Sequence, residues 1–208
     1  MDDKVKLVQK LVDYYPKNLC ELEHNSVYEL LVAVILSAQC TDKRVNVVTR
    51  ELFKVASTPE QMLKLGMDNL KEIIKPCGFY NAKARSIIEA STMIVNQYGG
   101  VVPQNRQDLI KLRGVGEKVA SVVLAVGYNE PAIAVDTHVF RLSKRLGLAD
   151  EPTPTKTMHA LEHLLPRDMW RDAHFAIVLH GRNFCKAINP RCKECFIKDE
   201  CPKLNLKK

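Results

Sequence analysis

The chain has 208 residues, 46% of them hydrophobic, enough to bury the core of one large domain or two small ones. Its 31 Lys and Arg against 24 Asp and Glu leave a net charge of +7, which permits a polyanionic partner, while only 6% aromatics argue against a broad platform of stacking rings. No apolar run approaches the ~20 residues of a membrane span and the start MDDKVKLVQK has no signal-peptide pattern, so no membrane partner and a cytoplasmic location are expected.

Apolar spacing predicts a first helix over 3–15, with Val5, Val8, Leu11, Val12 and Tyr15 on one face and Pro16 after it. Ser26 and Glu29 form a capping box that opens a helix over 30–38. Its sequence LLVAVILSA has no polar side before Ser37, so the helix is expected to be buried on all sides and central to the fold. Thr41 or Asp42 starts a third helix, with Val45, Val48, Leu52 and Phe53 at helical spacing. Thr58-Pro59-Glu60 opens a short helix that stops at Gly66, and Asp68 is expected to cap the next, which ends at Pro76-Cys77-Gly78. A longer helix over 81–98 carries Ile87, Ile88, Met93 and Ile94 inward and closes at Gly99-Gly100. Asn105 caps a short helix through Lys111, and 117–128 reads as one apolar helix with Val119, Val122, Val123 and Val126. Pro131 breaks it, and 132–135 is an extended connector too short to found a sheet. Helices over 137–146, 154–165 and from an Asp168 cap to Arg182 follow, and the tail LNLKK is expected to fray. Nothing alternates with period two over a useful length, so the fold class is all-α.

The chemistry concentrates in residues 112–141, LRGVGEKVASVVLAVGYNEPAIAVDTHVFR. Gly114-Val115-Gly116 joins two helices and leaves free N–H groups at a helix start, where a phosphate is favoured. Lys118 falls in the first turn beyond it. A lone Gly-x-Gly also fits a plain helix corner; its pairing with Lys118 and with Asp136 in AVDTH gives it weight. Taken singly, Lys118 reads as a solvated charge and Asp136 as a helix cap.

Of seven cysteines, Cys185, Cys192, Cys195 and Cys201 are spaced C-x6-C-x2-C-x5-C near the end of the chain. Four thiols so close suit an iron–sulfur cluster or a structural zinc about equally, and two disulfides less well. Pro190 and Pro202 stiffen the loop. Lys186, Arg191, Lys193 and Lys198 offset the thiolates and make it a candidate phosphate-contacting knob. Cys20, Cys40 and Cys77 read as core thiols.

Together LRGVGEKVASVVL, IAVDTHVFRL, LHGRNFC and the cysteine spacing resemble endonuclease III, a family of helix-hairpin-helix DNA glycosylases with AP-lyase activity. The likeness runs from VYELLVAVILSAQCTD to Cys201, nearly the whole chain. It implies two helical lobes with a DNA cleft between them, one over 21–130 with the hairpin and one joining 1–20 to 131–208. It also moves the cysteine loop to a [4Fe–4S] cluster. By the same resemblance Lys118 is the nucleophile and Asp136 the aspartate that supports positive charge on the sugar. An attacking amine must be unprotonated, and partial burial with the positive end of a helix would disfavour the ammonium.

The resemblance further places Gln39 and Phe79 where the family fills the gap left by an extruded base, and Leu112, Gly114, Val115 and Gly116 at the phosphate. Phe79 replaces a usual leucine and also fits core packing; Gln39 also fits a helix-end cap. Arg113 and Glu117 replace a usual proline and basic residue. His138 and Arg141 read as structural neighbours of Asp136. The implied partner is double-stranded DNA with oxidised pyrimidines or abasic sites, bound by a monomeric, nucleoid-associated enzyme. An adenine-removing glycosylase of the same fold is disfavoured, because that branch lacks the lysine and needs an acid where Ala33 stands; Lys118 with Asp136 likewise speaks against a non-catalytic DNA-binding module.

Overall fold

Side-chain caps written into the sequence start most of the helices. The computed structural model describes residues 2–15 and 20–206. Asp2 Oδ1 accepts from the Lys4 N–H at 2.9 Å and opens α1 (Asp3–Tyr14). Ser26 Oγ accepts from the Glu29 N–H at 3.1 Å ahead of α2 (Val27–Ser37), and Glu29 Oε2 accepts from the Asn25 N–H at 2.6 Å. Thr41 opens α3 (Asp42–Val55), Thr58 opens α4 (Pro59–Leu65), Asn105 opens α7 (Arg106–Leu109) and Thr153 opens α10 (Pro154–Leu164). The described residues contain no strand, and none of their helices is long and apolar enough to cross a membrane.

Two expected caps are not made. α5 (Met67–Ile74) begins at Gly66, whose φ of 79° turns the chain directly out of α4, so Asp68 lies in the first turn without capping it. Asp168 lies in a 3₁₀ turn (Arg167–Met169) that runs straight into α11 (Trp170–Asn183). Because the Trp170 N–H already donates to the Arg167 carbonyl, the entry needs no side chain. Pro16, the expected stop of α1, lies outside the described residues, as do Lys207 and Lys208 of the tail. The described part of the tail is tied down rather than frayed: the Leu204 N–H donates to the Arg145 carbonyl at 3.1 Å.

The chain divides into two compact units, Cys20–Asn129 and Met1–Leu19 with Glu130–Lys208. In the first, α2 lies at the centre, and no residue from Tyr28 to Leu36 is more than 6% exposed. α6 (Tyr80–Tyr98) packs on it with Lys83, Ala84, Ile87, Ala90, Ser91 and Ile94 buried. Ser91 Oγ meets the Tyr28 hydroxyl at 2.6 Å near the start of α2. The apolar helix after the hairpin is not continuous: α8 (Glu117–Val122) widens into a π-helical turn (Val123–Gly127). The wider turn buries Val123, Leu124 and Ala125.

In the second unit α1, α9 (Thr137–Arg145), α10 and α11 enclose Val8, Leu11, Val139, Leu142, Leu161 and Ile177, each at most 1% exposed. The connector 132–135 is buried beside them without forming a strand. α9 and α11 approach closely at Gly181, where an added Cβ would stand 2.8 Å from His138 Nδ1 and 3.0 Å from His138 Cβ. Gly181→Ala should therefore destabilise this unit by about 1–3 kcal/mol, as overpacking does. A thermal melt followed by circular dichroism checks this, and an unchanged Tm would refute the close packing.

Candidate functional site

The hairpin is built from the inside. Leu112 and Val115 are buried, and their N–H groups donate to the Leu109 and Leu112 carbonyls at 3.1 Å. Their side chains anchor the turn that the sequence places at the phosphate, and their amides are engaged within it. Gly114 has φ +80°, and a Cβ there would lie 2.7 Å from Ser86 Cβ on α6, so glycine is required by backbone and neighbour alike. Gly116 differs. Its backbone is extended (φ −98°, ψ −178°), and a Cβ would meet nothing within 4 Å. Nothing inside the protein demands glycine at 116. α8 begins there without a side-chain cap, so its leading N–H groups are left for an anion.

Lys118 stands in that first turn, exposed rather than partly buried. The two unusual charges of the hairpin are paired nearby: Arg106 Nε lies 3.9 Å from Glu117 Oε2, and Arg113 Nη1 lies 3.4 Å from Glu89 Oε2.

Gln39 and Phe79 share a backbone state uncommon for residues with a Cβ. Their φ angles are 52° and 60°, and both side chains are exposed, Phe79 by 67%. Phe79 is therefore not a core residue. Gln39 lies just past α2, where a left-handed residue ends the helix.

Asp136 caps α9: its Oδ1 accepts from the His138 and Val139 N–H groups at 2.8 Å, leaving Oδ2 outside these two bonds. His138 is half-buried, and burial lowers its pKa ahead of the opposing pull of Asp136. On the same helix Arg141 donates to the Cys185 and Gly181 carbonyls at 3.0 and 3.1 Å. One turn on, buried Arg145 donates to the Lys186 and Ala187 carbonyls at 2.6 and 3.0 Å, and its Nη1 lies 3.5 Å from Cys185 Sγ.

Cys185, Cys192, Cys195 and Cys201 line one cavity together with Arg145, His180, Phe184 and Lys198. All seven cysteines are free. Burial pushes the Cys195 and Cys201 thiols up, and their neighbouring cysteines add to the rise. Among the described residues no three His, Cys, Asp or Glu side chains converge as ligands of a single ion. His180 Nε2 lies 3.4 Å from Cys195 Sγ and its Nδ1 3.2 Å from the Tyr15 hydroxyl. Burial holds its pKa down at about 4. Phe196 stacks on Tyr14 of α1 at 3.8 Å, which ties the loop to the helical core. Lys186, Arg191 and Lys193 are all exposed, Arg191 paired with Glu194.

Sequence reasoning missed Arg145, His180 and Lys83. Arg145 follows Arg141 at helical spacing, and His180 lies within LHGRNFC, so both carried a signal. Lys83 carried a subtler one, a lysine on the apolar stripe of Ile87 and Ile94.

Residues 32–167 match the family model described as HhH-GPD superfamily base excision DNA repair protein, which defines the class: a helix-hairpin-helix DNA repair protein. The chain is 43% identical to endonuclease III of Haemophilus influenzae, over 95% of this chain and 94% of that protein. It is 44% identical to endonuclease III of Bacillus subtilis, over 93% of this chain and 89% of that one. A solved structure described as a trapped endonuclease III–DNA covalent intermediate superimposes with a TM-score of 0.91 at 38% identity, covering 98% of this chain and 97% of that one. The chain belongs to the endonuclease III family. It is a bifunctional base excision repair enzyme, a DNA glycosylase with AP-lyase activity.

The two glycines should separate folding from binding. Gly114→Ala is expected to lower Tm, since both its φ and Ser86 oppose a Cβ. Gly116→Ala should leave Tm unchanged yet weaken binding to abasic duplex DNA, measured by fluorescence anisotropy. Equal affinity for Gly116→Ala and the parent would remove Gly116 from the interface.

Proposed function

We propose that the substrate is double-stranded DNA carrying an oxidised pyrimidine or an abasic site, with Lys118 as nucleophile and Asp136 serving the proton transfers. The observation that carries this reading is the exposed Lys118 amine in the first turn of an uncapped helix, directly after the Gly-x-Gly turn. A phosphate held by the N–H groups at Gly116–Lys118 would bring the adjoining sugar to that amine. Because Lys118 is exposed in the free protein, the water around it is removed by the docked nucleotide, not by the fold.

The neutral amine attacks C1′ and the base leaves with the electron pair of its glycosidic bond, taking up a proton. The sugar ring opens to a Schiff base on Lys118. This makes the C2′ proton acidic, and its removal expels the 3′ phosphate with the C3′–O electron pair; water then releases the enzyme. Asp136 offers a carboxylate oxygen not used by its two cap bonds for charge support and proton transfer. Exposed Gln39 and Phe79 fill the space of the extruded nucleotide.

In this reading Cys185, Cys192, Cys195 and Cys201 hold a [4Fe–4S] cluster. Four free thiols lining one cavity are the donor set that such a cluster takes. The guanidinium of Arg145 beside Cys185 offsets part of the thiolate charge. Such a cluster would cross-link the loop and present Lys186, Arg191 and Lys193 to backbone phosphates, while the lyase steps need no electron transfer.

Borohydride trapping tests the chemistry on duplexes with an abasic site and with an oxidised pyrimidine. A covalent adduct is expected with both and should vanish in Lys118→Ala, while DNA binding persists. An adduct surviving in Lys118→Ala would overturn the nucleophile assignment. Metal analysis tests the loop: about four irons and four sulfides per chain and a brown colour are expected. Stoichiometric zinc in colourless protein would replace the cluster.

A further inference from the structure

Lys83 is the one lysine the described core encloses, 6% exposed on the inner face of α6. Its Nζ donates to the Leu36 carbonyl at 2.8 Å, and its own N–H donates to the Phe79 carbonyl at 3.1 Å. The Lys83 side chain therefore grips the last turn of α2, three residues before Gln39, while its backbone makes the regular first-turn bond of α6 to Phe79. Both of those residues are held at positive φ, a conformation that relaxes unless its flanks are restrained.

The end of α2 shows what the restraint is for. The final carbonyls of a helix lack intrahelical partners. Ser37 Oγ donates to the Val34 carbonyl at 2.8 Å, the Cys40 N–H donates to the Ser37 carbonyl at 3.0 Å, and Lys83 reaches across from α6 to the Leu36 carbonyl. A cation at a helix C-terminus is also favoured by the helix dipole. The first two bonds are local and shape the Gln39 turn; the third, with a side-chain hydrogen bond between Cys40 and Cys77, fixes it relative to Phe79.

We propose that Lys83 is a positioning residue for damage recognition, holding the Gln39 and Phe79 turns at a fixed separation so that both enter the duplex together. The proposal rests on the reading of those two residues as gap-filling. It separates Lys83 from the chemistry at Lys118: its loss should impair steps that need a gap filled in a duplex and spare the amine's reaction with an abasic sugar where no opposite strand exists.

The experiment compares borohydride-trapping rates on an abasic duplex and on the same abasic strand alone, using the full chain. In Lys83→Met, which keeps the apolar stem and removes the donor, the duplex rate should fall about tenfold or more, as small misplacements of positioned groups do, with the single-strand rate unchanged. Ser91→Ala, which breaks the Tyr28 contact at the other end of α2, should loosen the same helix pair without selective loss on duplex. Should Lys83→Met not fold, Lys83→Gln, which retains a polar group for the carbonyl at shorter reach, carries the same comparison. Equal losses on both substrates, no loss on either, or the same selective loss in Ser91→Ala would overturn the proposal. Gln39→Ala and Phe79→Ala are run alongside. If these two leave the duplex rate intact, the gap-filling reading has failed. If they lose it selectively and the Lys83 variant does not, only the role of Lys83 has.

Discussion

A helix buried on every side cannot rely on water at its ends, and in the Cys20–Asn129 unit that constraint acts on α2. Residues 30–36 have no face left for solvent, so the carbonyls at its C-terminus find Ser37, Lys83 and the Cys40 amide instead. Those partners determine where the neighbouring elements go. α6 must bring Lys83 to Leu36 and Ser91 to Tyr28, and this places Ser86 against Gly114 in the hairpin. The π-helical turn after α8 closes on the start of α2, where a Cβ on Gly127 would come within 2.9 Å of Val27 Cγ1. The uncapped start of α8, and with it Lys118, is thus located by packing that begins with an apolar helix.

The other unit solves a similar problem with arginine. The carbonyls that close α11 and enter the cysteine loop face Arg141 and Arg145, one turn apart on α9. A guanidinium presents several donors in a fixed plane, so each arginine gathers more than one carbonyl. Asp136 caps the same short helix at its other end. α9 therefore has an acidic group at its positive end and cations at its negative end, an arrangement the helix dipole favours. One element positions both the aspartate and the start of the loop that bears the four cysteines.

Local chemistry was legible wherever a residue acts on its own neighbours in sequence. Ser26, Thr41, Thr58 and Asn105 cap helices through N–H groups a few residues on, and a reader of the sequence needs no other information to see it. The spacing of Lys118, Asp136 and the four cysteines was legible for a related reason: it is a pattern along the chain. Misreadings occurred where a tertiary neighbour outweighed a local preference. Asp68 yields to the Gly66 turn, and the regular helix expected over 117–128 yields to packing against α2.

By itself the sequence determined the all-helical class, the caps, the centrality of α2 and the residue types that chemistry requires, since each depends on period or on contacts within a few residues. Only the tertiary structure decided which of the two hairpin glycines the protein needs for its own packing, that Lys118 is exposed, and that Gln39 and Phe79 project from strained turns. Burial and strain are properties of what lies across from a residue. No spacing along the chain encodes that a lysine on the inner face of α6 ends beside the Leu36 carbonyl, 47 positions earlier.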